Sequence, residues 1–143
     1  MTEAMTIARP HWKGGDSLTE IGHGPITRGA RALFAGASGD HVLLHIDSDH
    51  ARAAGFDDVF AHGMLSMAYL AQVLTRSFAP EAIRDWSVRF LAITPLHATV
   101  RCTGTITEIN DSDSGPVASV GLAASADGVP TLQGSALVAL RGS

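Results

Sequence analysis

Asp40 and His45 stand in one polar stretch, written Asp-x4-His, and a second imidazole, His62, is followed at once by Gly63. A carboxylate and an imidazole titrate near 3.9 and 6.5, so a pair brought together by local folding can hold a water molecule and move a proton. Loops contain many such pairs, and the spacing alone is weak. The His62-Gly63 step adds a different property: it opens a strongly apolar segment with helical spacing. The first N–H groups of a helix have no partner within it and carry a partial positive charge. Gly63 has no side chain, so a ligand carbonyl can come close to its amide, with Met64 beside it and Ser66 one turn beyond as further candidate contacts, core packing being the competing reading of both.

The elements that must position these residues follow from pattern. His62–Arg76 reads as one helix, apolar on more than one stripe and therefore buried around most of its circumference, with Met64, Leu65 and Met67 in the core. Upstream, Leu18–His23 suggests a short strand. Thr27 suits the cap of a helix that runs through Arg31 and Phe34 and stops at Gly36. Ser48–Ala54 suits one or two further helical turns, capped by Asp47 or Asp49 and stopped by Gly55. Downstream the period becomes two, in four predicted strands: Trp86–Ile93, Ala98–Asn110, Pro116–Ala126 and Pro130–Leu140. Asn110–Gly115 and Ala126–Pro130 supply hairpin turns, so the sheet is antiparallel. One apolar helix followed by a meander is covered when the sheet curls around it, an α+β hot-dog arrangement.

Composition narrows the function classes. The 143 residues fit one domain, 45% apolar and 17% charged, with a net charge of −4 and no basic stripe; nucleic acid is not an expected partner. Residues 1–16 are expected to hold little structure, with the domain running over 17–143. The start lacks a signal-peptide run and no window is apolar enough to span a membrane, so a soluble cytoplasmic protein is expected. Cys102 is the one cysteine, which excludes an internal disulfide and reads as packing within a strand. His41, His45, Asp47 and His50 offer metal-binding side chains, but no familiar ligand set is complete and no metal is expected. No phosphate-loop or dinucleotide fingerprint is present, and no cofactor is implied.

The wider stretch resembles the MaoC-like, or (R)-specific enoyl-CoA hydratase, family. The resemblance is carried by Ser38-Gly39-Asp40, His45-Ile46-Asp47, Ala51, Gly55-Phe56 and Ala61-His62-Gly63-Met64-Leu65, supported by Gly24-Pro25-Ile26-Thr27, Ala35-Gly36-Ala37 and Ser87-Val88-Arg89-Phe90. It covers roughly residues 15–141. It implies a catalytic pair, Asp40 and His45, that hydrates a trans-2-enoyl thioester to the (R)-3-hydroxyacyl product. Gly63 N–H would polarise the thioester carbonyl.

The implied partners are a coenzyme A or acyl-carrier-protein thioester and a second hot-dog subunit, identical or different. Arg84 and Arg89 are candidates for the carrier's phosphates, with solvated strand-edge charge an equal reading.

The chain departs from the family where Val42-Leu43 replaces Asn-Pro. Asn supplies hydrogen bonds and Pro a fixed φ, so the loop that aims Asp40 and His45 loses support. That motivates two alternatives: a weakly catalytic subunit that assists an active partner, or a dehydratase or cyclase in polyketide tailoring.

Overall fold

The computed structural model describes residues 11–140. A five-stranded antiparallel sheet of β1 (Ile21–His23), β5 (Val100–Ser112), β6 (Gly115–Ala126), β7 (Val129–Ala139) and β3 (Ile83–Phe90) runs in the order β1-β5-β6-β7-β3. Its concave side wraps α3 (Gly63–Thr75), which is the expected hot-dog arrangement. A small second pairing joins β2 (Phe60–Ala61) to β4 (Thr94–Pro95), with Phe60 opposite Pro95 and Ala61 opposite Thr94.

Leu65, Leu70, Val73 and Leu74 of α3 pack on the sheet side chains Val100, Cys102, Ile106, Val120, Leu122, Leu132 and Val138. These sheet positions alternate along each strand, the inward set of a half-buried sheet. Gly104 on β5 allows the close approach: a Cβ there would lie 2.8 Å from Val73 Cγ1 and 3.0 Å from Leu18 Cδ1. Cys102 is buried in this core, and burial pushes its thiol pKa up to about 11, in keeping with a packing role.

Before the central helix lie α1 (Arg28–Ser38) and α2 (Ser48–Ala53). Thr27 caps α1 through its hydroxyl, which accepts from Ala30 N–H, and Asp47 caps α2 by accepting from Asp49 and His50 N–H. A 3₁₀ turn, Leu43–His45, joins the two helices.

Three expectations are corrected. Helix α1 runs past Gly36 and stops at Gly39, whose φ of 74° is the left-handed geometry that glycine adopts without a Cβ clash. Strand β3 begins at Ile83 and ends at Phe90, and beyond it Leu91 N–H makes one more bond, to Thr131 O of β7. Helix α3 is not buried all round: Gly63, Met64 and Ala68 are exposed, because the sheet covers one side of the helix start only. Of residues 1–16, the first ten lie outside the described residues. Trp12 packs on Phe78 with ring centroids 5.4 Å apart, and Gly15 N–H bonds to Ile106 O.

Candidate active site

Asp40 and His45 come together, and His62 joins them. One donor atom from each of the three lies within 4.8 Å of the others. Asp40 follows the left-handed stop of α1, and its Oδ1 accepts from Val42 N–H at 3.3 Å. His45 ends the 3₁₀ turn, half-buried like Asp40. His45 Nδ1 lies 2.9 Å from the carbonyl oxygen of Phe60. A carbonyl only accepts, so Nδ1 carries the proton and Nε2 of the neutral ring keeps its lone pair for a substrate or water. The Phe60 ring meets the His45 ring edge-on at 5.0 Å.

His62 ties the loop to the helix start. Its Nε2–H donates to Asp40 O at 3.0 Å, and its ring lies 5.0 Å from that of Phe34. Burial, the largest influence, holds its pKa below the ordinary histidine value, opposed by the bond to Asp40. The share of His62 in the site geometry is not visible in the sequence, because the bond to Asp40 closes across the intervening helix and loop.

Gly63 lines a cavity of about 290 Å³ together with Phe60, Ala61, Ser66, Phe90, Thr94 and Thr131 among others. Ser66 is buried, with its Oγ 3.2 Å from Thr94 Oγ1. Phe90 lies against the helix start: a Cβ on residue 63 would meet Phe90 Cε1 at 2.8 Å. Met64 is 55% exposed, which corrects its reading as core, and it is not among these lining residues. Asp40 and His45 are not among the cavity's lining residues, but Phe60, whose carbonyl accepts from His45 Nδ1–H, is.

The side chains of Val42 and Leu43 are about half exposed and do not line this cavity, while their carbonyls accept from His45, Ile46 and Asp47 N–H within the turn. The loop is also held from outside. Arg31 on α1 donates through an Nη to His45 O, and Ser38 Oγ accepts from Asp40 N–H at 3.2 Å. Further out, Asp58 accepts from Ser48 Oγ at 2.6 Å, Val59 N–H at 2.7 Å and Arg28 at 2.8 Å, which pins α2 to the strand that follows. Those bonds, led by Ser48, hold the Asp58 carboxyl well below the usual carboxylate range.

Of the metal-binding side chains weighed in sequence, Asp47 is occupied as a helix cap, and His41 and His50 stand outside the Asp40–His45–His62 group. Arg84 and Arg89 are exposed on β3, the edge strand. No helix among the described residues is long and apolar enough to cross a membrane.

A sheet curled on a central helix defines a hot-dog domain, and here a carboxylate and an imidazole are gathered beside that helix's first turn. The chain belongs to the MaoC-like domain family, whose model matches residues 15–126. It is 31% identical over 98 residues to the 3-hydroxyacyl-thioester dehydratase Z of Mycobacterium tuberculosis, covering 64% of this chain and 65% of that protein. It is 40% identical over 77 residues to the (R)-specific enoyl-CoA hydratase of Rhodospirillum rubrum, covering 52% of this chain and 54% of the relative. The chain thus spans between about half and two thirds of the curated relatives it matches. Among solved structures, the (R)-hydratase of A. caviae involved in PHA biosynthesis superposes with a TM-score of 0.79 over 92% of this chain and 98% of that one, at 20% identity; this likeness is one of fold.

Proposed function

We propose that this protein is a hydro-lyase that adds water to a 2-enoyl thioester, or removes it from a 3-hydroxyacyl thioester, with R stereochemistry. The observation that carries this is the meeting of Asp40 and His45 beside a helix start whose Gly63 faces a cavity. The names of the two relatives point the same way.

In the hydration direction, Asp40 and His45 hold one water. His45 Nε2, the lone-pair nitrogen, takes its proton as the oxygen bonds to C3. The electron pair of the C2–C3 double bond moves toward the thioester carbonyl, whose oxygen is held at Gly63 N–H. The proton then passes to C2. A donor at such an oxygen typically changes kcat by about 10²–10³-fold, and positioned acid/base groups contribute about 10²–10⁴-fold. The volume of about 290 Å³ sits at the lower edge of ligand pockets and favours a short acyl group. The thioester is carried on coenzyme A or an acyl carrier protein, and no cofactor takes part.

The test is turnover of crotonyl-CoA, read by loss of the conjugated-enone absorbance. Asp40→Asn and His45→Gln each lower kcat by about 10²–10⁴-fold while the fold is kept. Wild-type rates in both variants would remove this reading.

A second reading is a subunit that completes an active partner. It is favoured by the place of β3 at the edge of the sheet among the described residues and by the absence of Asp40 and His45 from the lining of the described cavity. Pairing two β3 edges closes that ladder, so a homodimer is the expected assembly. A purified homodimer that turns over enoyl thioesters alone excludes the helper role; an inactive monomer supports a different partner.

A further inference from the structure

Arg31 is an arginine in the wrong place for stability alone. It is 3% exposed on the inner side of α1, beside the buried Ala35. One Nη donates to His45 O, while Nε is buried without a partner. Among the described residues, no carboxylate forms an ion pair with it. A buried guanidinium that Asp58 supports only from beyond ion-pair distance is costly, and an apolar side chain of similar volume is often neutral or stabilising in its place. Core packing therefore does not account for it.

What Arg31 touches is the backbone of His45. The ring of His45 is fixed from one side by Phe60 O, and its peptide is fixed from the other by Arg31. Between Asp40 and His45 stand Val42 and Leu43, whose half-exposed apolar side chains offer the loop no polar anchor. We propose that Arg31 is the positioning residue of this site: its buried guanidinium holds His45 O and thereby aims His45 Nε2. This rests on the reading of His45 as the acid/base group. Arg31 meets no reacting atom. Its effect passes through the placement of His45, where an error of about 1 Å can cost on the order of a hundredfold in rate.

The experiment compares Arg31→Met, Arg31→Gln and Arg31→Lys with wild type in the full chain. Melting temperature, kcat and KM for crotonyl-CoA, and the ¹⁵N spectrum of the His45 ring are measured. Arg31→Met is expected to melt at or above the wild-type temperature, with kcat down about 30–100-fold and KM changed less than about threefold. Arg31→Lys, which keeps a charged donor, recovers part of kcat. The His45 ring, one Nδ1–H tautomer in wild type, becomes a mixture in Arg31→Met.

If Arg31→Met does not fold, Arg31→Gln replaces it with the same split expected. Wild-type kcat in the folded variant, or collapse of both, makes Arg31 purely structural and overturns the proposal. If wild type itself turns over no thioester, the hydratase reading fails. The tautomer then decides: a mixture in the variant supports the aiming role, and an unchanged ring refutes it.

Discussion

The rings of His45 and His62 lie with centroids 4.1 Å apart and planes tilted by 31°. Two imidazolium ions at that separation would repel, and burial already disfavours the charged form of His62. His62 therefore stays neutral and acts as a fixed spacer, its Nε2–H on Asp40 O.

The lowered pKa of His62 sets a pH dependence. Its folded value lies below its unfolded value, so the unfolded chain binds more protons and stability rises with pH. The stabilisation is complete above about 6.5 and declines as pH falls below it. Melting curves from pH 8 to 5 should show a steeper loss for wild type than for His62→Gln, whose amide can still donate to Asp40 O. Equal slopes would remove His62 from the account.

Gly63 and Phe90 make a steric prediction. A Cβ at residue 63 falls 2.8 Å from Phe90 Cε1, the far end of a side chain that can swing away. Gly63→Ala should leave the melting temperature nearly unchanged but lower kcat/KM by roughly tenfold or more, because the added methyl or the displaced ring covers the amide. In the Gly63→Ala background, Phe90→Ala should restore part of the rate. No recovery would mean that the methyl itself blocks the carbonyl.

Asp58 holds α2 in place through Ser48, Val59 and Arg28. Asp58→Asn turns an acceptor into a donor facing Arg28 and should lower the melting temperature at pH 7. The folded pKa is depressed, so this contribution is present above about pH 4 and lost as pH falls further. The gap between wild type and variant should narrow toward pH 3, as measured by thermal melts.

Gly104→Ala places a methyl between Val73 and Leu18 and should cost about 1–3 kcal/mol in urea unfolding. Gly121→Ala, where the nearest atom is 3.5 Å away, is the control and should cost far less. Equal losses would show that backbone entropy, not helix–sheet contact, sets the effect.

The central helix and the meander are legible because both are periodic, and Gly63–Thr75 falls within the expected segment. Thr27 and Asp47 are legible as caps because their oxygens act locally. The stop of α1 is not: Gly36 is carried inside the helix, and only the backbone angle at Gly39 distinguishes the two glycines. The pair Asp40 and His45 is visible as residue types, but their approach depends on a 3₁₀ turn that leaves no strong pattern. Arg31 carries no signal either. An arginine between Ala30 and Ala32 in a helix gives no sign in sequence of whether it is buried, and only the packed structure places its guanidinium against His45. Phe90 over Gly63 is likewise a contact between distant segments.

His62 sits one peptide bond before Gly63 and grips the carbonyl of Asp40. The acidic loop and the helix tip are thus hinged to a common post. A substitution elsewhere that tilts the central rod carries both along, so their mutual alignment survives drift that would separate two independently mounted parts.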